Sequence, residues 1–286
     1  MRTLPLLALG LLGLGALFWG LRGSPGNRTY FCEAAAKRAS YRGEWFYRLR
    51  AAPGGWLLRD DDLATGASLS EGTLRYLHRF DRDLAAQGVT LIVAAQPPRG
   101  VALGPGSLPD YRPEAALQGY SAVRARLQNA GLFVTDLAAV IEGTPDYFFR
   151  RDHHWTPDGA EASAAAVAAT IAGTPTFQST TFDPQGFRTE ALRTEAQRGS
   201  FGEAIGRICG QTPPAETFTR YRTVAERGAG GGLFASAAPP VALVGTSNSA
   251  RSDLNFAGFL AQASGLEVLN ASLVGGGPEA ALSAYL

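Results

Sequence analysis

Two short strings in this 286-residue sequence set reactive side chains next to one another. The first is Asp152-His153-His154-Trp155, which holds two of the three histidines of the chain. Residues two apart in an extended segment point to the same side. Asp152 can therefore bond one ring nitrogen of His154 and leave the other free as a base, with His153 facing the opposite way. The bland alternative is a hydrogen-bond cluster at the start of a helix. No further histidine or spare thiol is placed to complete a zinc site, so no metal is expected. The second string is Gly245-Thr246-Ser247, directly after the apolar run VALV. A serine on a strand-to-helix turn stands at the carboxyl edge of a sheet, where the backbone N–H groups of the coming helix can hold an oxyanion. Taken alone, Gly-x-Ser after a strand is usually only a tight turn with a helix cap. Together with Asp152 and His154, Ser247 completes a set of nucleophile, base and orienting acid, and such a set functions in any chain order.

The elements that must position these residues alternate in type. Runs at Val89–Ala95, Leu132–Leu137, Val241–Val244 and Glu267–Ala271 read as short strands, the first as one buried on both faces. Between them, Leu74, Leu77, Phe80 and Leu84 recur at helical spacing, and helices are predicted over Pro113–Ala130, around Leu254–Gly265 and from about Pro278. The best defined is Pro157–Ala172, with Thr156 as N-cap and Pro157 at the first helical position. This alternation predicts an α/β sandwich on a mainly parallel sheet, with sites gathered at the carboxyl ends of its strands. From Gly173 to about Pro240 the pattern weakens, as in an insertion. The glycines of Gly228–Gly232 read as a connector, because Leu233 and Phe234 follow where a phosphate loop needs Lys and Ser or Thr.

Composition removes other functions. The 26 basic residues balance 25 acidic ones and are scattered, so no nucleic-acid surface is indicated. At 45% hydrophobic and 10% aromatic residues, the chain can bury a substantial core. Leu4–Leu21 is almost uninterruptedly apolar and is closed by Arg22 and a Gly-Ser-Pro-Gly breaker. It reads as an export segment, residues 1–26 in all. As a helix it spans about 27 Å, which suits either a cleaved signal peptide or a retained anchor in the inner membrane. The two cysteines, Cys32 and Cys209, fit an exported protein in which an oxidising compartment lets an even pair close; two free buried thiols are the alternative.

Taken with LVGTSNS at 243–249, NFAGFLAQASGLEVLNAS at 255–272 and VGGGP at 274–278, the string RRDHHWTPDGA at 150–160 resembles the SGNH-hydrolase-like (DHHW-type) domain of bacterial polysaccharide O-acetyltransferases, the AlgX and AlgJ family. The match runs from about Thr29 to the end. The resemblance implies a circularly permuted SGNH-like α/β/α fold over residues 27–286 and a disulfide between Cys32 and Cys209. It also implies acetyl transfer onto hydroxyls of an exopolysaccharide in the periplasm, with no cofactor. Carried over by position, Ser247 is the nucleophile, His154 the general base and Asp152 the residue that orients it, with the Ser247 backbone N–H as an oxyanion donor. Trp155 and Tyr147 are candidates for stacking on a sugar ring, a core role being the alternative for each. The resemblance further implies a membrane-bound O-acyltransferase as acetyl supplier. AlgX-type members continue into a carbohydrate-binding module, and nothing like it follows Leu286, so grip on the glycan is expected to be weak or to come from partners. Two other activities fit the same residues: an acetylesterase, with water as acceptor, and a noncatalytic glycan-binding component of a secretion complex.

Overall fold

A computed structural model describes residues 30–36, 48–182, 186–226, 239–275 and 277–285. The export segment 1–26 and the glycine loop 228–232 lie outside these residues. Among the described residues no helix is long and apolar enough to cross a membrane.

In chain order the elements are α1 (Glu33–Ala36), β1 (Leu49–Ala52), β2 (Trp56–Arg59), α2 (Glu71–Ala85), β3 (Ile92–Val93), α3 (Pro113–Asn129), β4 (Phe133–Val134), α4 (Leu137–Gly143) and α5 (Pro157–Ala172). They continue with α6 (Pro175–Ser179), β5 (Phe187–Gln197), α7 (Ser200–Cys209), β6 (Glu216–Ala225), β7 (Val241–Leu243), α8 (Ser247–Ala250), α9 (Phe256–Ser264), β8 (Val268–Asn270) and α10 (Gly277–Tyr285). The strands form four two-stranded ladders: β3–β4 and β7–β8 are parallel, β1–β2 and β5–β6 antiparallel. The predicted strands are thus present at their expected places and pair in parallel, each trimmed to two or three laddered residues, but the Val89–Ala95 run is only half-buried, with Val89 exposed, rather than covered on both faces.

The main core fills the space between α5 and α9. Ala160, Ala164, Val167, Ala168 and Ile171 of α5 pack with Phe256, Phe259 and Leu260 of α9, and Ile92, Val241 and Val268 close the cluster from the strands. At its start α5 also packs tightly on the segment before it, where a Cβ on Gly159 would meet the Tyr147 carbonyl oxygen at 2.2 Å. Thr156 caps α5 by accepting from Gly159 N–H at 3.1 Å. A second cluster joins Tyr30, Leu49 and Leu57 to Phe201 and Ile205 of α7, beside the Cys32–Cys209 disulfide, whose Cα atoms are 5.6 Å apart.

Two expectations need amending. The segment 173–240, poor in apolar periodicity, carries α6, α7 and the longest ladder, β5–β6. That antiparallel pair is held by polar cross-strand contacts, among them Arg222–Glu190 and Arg220–Glu195 at 3.2 Å and Thr189–Thr223 at 2.7 Å, so no apolar alternation marks it. The predicted stripe on α2 is real, but Leu74, Leu77, Phe80 and Leu84 are only half-buried.

Candidate active site

The acid–base pair sits at the tip of a small reverse turn. Its arms are joined by a bridge between Phe148 and Trp155 and by Thr156 N–H donating to the Tyr147 carbonyl at 2.8 Å and Phe149 N–H to the His154 carbonyl at 3.2 Å. Within the turn, Asp152 Oδ1 accepts from the His154 backbone N–H at 3.0 Å and pairs with His154 Nδ1. The other carboxylate oxygen, Oδ2, accepts from Ser200 N–H at 2.7 Å. Asp152 thereby caps α7, whose own N-cap, Gly199, has no side chain to offer. Gly199 has φ +70°, and a Cβ there would meet the Arg151 carbonyl oxygen at 2.3 Å, so only glycine lets α7 come this close.

Both members of the pair are buried, Asp152 at 4% and His154 at 6% exposure. Burial on its own favours the neutral acid, but the hydrogen bond and charge of His154, with His153 and the Ser200 N–H, hold the Asp152 carboxyl well below the usual carboxylate range. An ionised carboxylate only accepts, so His154 meets it with a proton on Nδ1, and in the neutral ring Nε2 is the acceptor. That Nε2 is buried and has no hydrogen-bond partner among the described residues. His153 behaves differently. Its ring lies 3.9 Å from that of His154, and its Nδ1 meets Ser200 Oγ at 3.0 Å. The two rings therefore lie against each other, tilted by 37°, rather than facing opposite ways, because the segment turns instead of running extended. Burial, with His154 beside it, lowers His153 to about 4, so it stays neutral near pH 7.

Ser247 opens α8 directly after β7, half-buried, at the carboxyl edge of the parallel pair. Its chain neighbour Asn248 ties this turn to the histidine turn. Asn248 Oδ1 accepts from Trp155 N–H at 3.2 Å, and its backbone carbonyl accepts from Trp155 Nε1 at 3.1 Å. Asn248 Nδ2 donates to Gln96 Oε1 at 2.9 Å, just beyond the carboxyl end of β3. Four residues along, the Arg251 guanidinium, held by Asp253 and Gln197, brings one nitrogen to 3.3 Å from His154 Nδ1 and 4.0 Å from Asp152 Oδ1. Asn248, Gln96, Arg251 and Ser200 had no mark of their own in the sequence, except that Asn248 follows the serine in LVGTSNS.

The two aromatic candidates for sugar stacking are corrected. Trp155 is 5% exposed, its indole N–H bonded to Asn248 and its ring 4.8 Å from that of Phe256. Tyr147 is 2% exposed, with its hydroxyl on Ser163 Oγ at 2.5 Å and its phenol pushed up to about 12 by burial. Neither presents a face to a ligand; both are core. Asp152, His153 and His154 are the described group whose atoms lie close enough together to hold a metal, within 4.8 Å. Nδ1 of each histidine is already engaged, by Asp152 and by Ser200, so an ion held through those atoms would have to displace both contacts.

A serine at the carboxyl edge of a parallel pair, in a turn tied through Asn248 to a buried Asp–His turn, within alternating strands and helices, defines an SGNH hydrolase-like protein. Residues 49–286 match the family model of the SGNH hydrolase-like domain of acetyltransferase AlgX, and the chain belongs to that family. It is 33% identical over 267 residues to the alginate biosynthesis protein AlgX of Pseudomonas aeruginosa, covering 89% of this chain and 56% of that protein. It is also 33% identical over 243 residues to a probable alginate O-acetylase AlgJ of Pseudomonas fluorescens, covering 81% of this chain and 61% of the relative. Among solved structures it resembles P. aeruginosa AlgX with a TM-score of 0.75 at 32% identity, over 87% of this chain and 60% of that one. The O-acetyltransferase domain of Pseudomonas putida AlgJ aligns with a TM-score of 0.67 at 27% identity, over 83% of each chain. The chain thus spans little more than half the length of the curated relatives it matches.

Proposed function

We propose that this protein is a polysaccharide O-acetyltransferase that moves an acetyl group through an acyl-serine onto hydroxyls of an alginate-like or other exopolysaccharide. The observation that carries the reading is the buried His154 Nε2, free of any partner among the described residues and backed by an ionised Asp152 on the opposite nitrogen. In the proposed reaction Ser247 Oγ attacks the acetyl carbonyl of the donor while Nε2 takes the hydroxyl proton. The backbone N–H of Ser247 faces the developing oxyanion. Collapse expels the donor's leaving group, which departs with the proton from Nε2, and leaves acetyl-Ser247. A sugar hydroxyl then gives its proton to Nε2 as its oxygen attacks, and Ser247 regains a proton as the new ester leaves. Asp152 keeps the imidazole in the required tautomer and stabilises the imidazolium at each stage.

The remaining expectations stand as part of this proposal: an export segment at 1–26, with 4–21 as signal or inner-membrane anchor, a mature unit 27–286 working in the periplasm, and a membrane-bound O-acyltransferase as acetyl supplier. The Cys32–Cys209 bond supports an oxidising compartment. The test is incubation with an activated acetyl ester and uronate or neutral oligosaccharides, read by mass spectrometry. The proposal expects acetylated oligosaccharide that disappears in Ser247→Ala. Free acetate alone, with every acceptor, would make the protein an acetylesterase. No serine-dependent chemistry from a folded protein would favour a noncatalytic glycan-binding role.

A further inference from the structure

We propose that Asn248, together with Gln96, is the positioning residue that sets the Ser247 hydroxyl against His154. The proposal rests on the reading of Ser247 as nucleophile and adds the part of the chain that aims it. Ser247 belongs to a helix of four residues, α8, too short to hold a side chain in register by its own hydrogen bonds. The histidine belongs to a separate turn, about ninety positions earlier in the sequence. Asn248 bridges the two. Its Oδ1 and its backbone carbonyl both accept from Trp155, the residue after His154, at 3.2 and 3.1 Å, while Nδ2 donates to Gln96 Oε1 at 2.9 Å. Each bond fixes the next. The Trp155 N–H can only donate, which forces Asn248 to present Oδ1 there and Nδ2 to Gln96; Gln96 must then present its oxygen. The carboxamide therefore has a single orientation that satisfies both neighbours. One side chain locks the serine turn to the histidine turn and to the carboxyl end of β3.

Removing such a device shifts the reacting atoms without deleting any of them, and a misplacement of about 1 Å costs on the order of 10²-fold in rate. The experiment compares Asn248→Ala, Gln96→Leu and the double variant in acetylation by p-nitrophenyl acetate. It reads kcat and KM separately, urea stability, and the labelled peptide in wild type. The expected result is a fall in kcat of roughly 10²-fold for Asn248→Ala and about tenfold for Gln96→Leu, with KM nearly unchanged. The double variant should be no slower than Asn248→Ala, because both substitutions break one bond chain. Should Asn248→Ala fail to fold, Gln96→Leu decides alone. A kcat within about threefold of wild type in the folded variants, with the label on Ser247, overturns the proposal and leaves the functional reading intact. A wild-type label found elsewhere removes the nucleophile, and the positioning role falls with it.

Discussion

The buried ion pair behind the site makes the sharpest energetic prediction. Arg99 and Asp62 are 3% and 4% exposed and meet at 3.1 Å. Arg99 also donates to the Phe149 carbonyl at 2.5 Å and the Leu57 carbonyl at 3.3 Å, and lies over the rings of Trp56 and Phe201 at 5.3 and 5.2 Å. Burial pulls the guanidinium below its ordinary value, against the pull of Asp62 and, further off, Asp152. Asp62→Asn keeps the shape and removes the charge, stranding a buried cation, which costs about 3–5 kcal/mol. With unfolding entropy near 2.1 cal/mol/K per residue, a loss of that size lowers Tm by roughly 5–8 °C in a chain of this length. Arg99→Met frees two buried carbonyls, at about 1–3 kcal/mol each. The pair Asp62→Asn with Arg99→Met should cost at least about 2 kcal/mol less than the sum of the two single changes, because neither charge is then stranded. Equilibrium urea unfolding of the four proteins measures the cycle. A cost below about 1 kcal/mol for Asp62→Asn, or single costs that add to within about 0.5 kcal/mol, would refute the reasoning. The pair also bears on the site, since Phe149, gripped by Arg99 through its carbonyl, donates its N–H to His154.

Three further outcomes follow from particular contacts. Cys209→Ser opens a cross-link between residues 177 apart, and the chain-entropy model gives a loss of about 5 kcal/mol, measurable by urea unfolding of oxidised wild type against the variant. Gly199→Ala sets a Cβ against the Arg151 carbonyl at a left-handed φ, so α7 must move off Asp152; a strain cost of about 1–3 kcal/mol and a fall in kcat larger than the change in KM are expected. His153 is held neutral in the folded protein, down to about 4 from an ordinary 6.5, so the unfolded chain binds the extra proton between those values. Its contribution to stability is complete above about pH 6.5 and is lost as pH falls toward 4. His153→Gln should flatten that part of the stability curve, and an unchanged slope would contradict the burial of the ring.

Much of this arrangement is legible in the amino-acid sequence. The apolar β-branched runs located the parallel strands, and Thr156 with Pro157 fixed the start of α5 to the residue. The spacing of Asp152 and His154 alone predicts their pairing, although the contact comes from a turn closed by the His154 backbone N–H rather than from strand alternation. What stayed hidden is held by polar contacts between distant parts of the chain. The β5–β6 ladder has charged and threonine pairs where a pattern search looks for apolar ones. Ser200 touches Asp152 only because Gly199 lets a helix approach backbone to backbone. Trp155 and Tyr147 look like sugar platforms in a motif, but burial is a property of the fold, and both rings are spent on the core.

The central claim is that acetyl passes through Ser247 with His154 as base. Its most direct test is rapid quench of the protein with an isotopically labelled activated acetyl ester, then peptide mapping by mass spectrometry beside Asp152→Asn and His154→Ala. The account predicts one labelled peptide, modified at Ser247, forming on the order of 10²–10⁴-fold more slowly in the two variants. Label at another residue, or equal labelling in all three proteins, would contradict it.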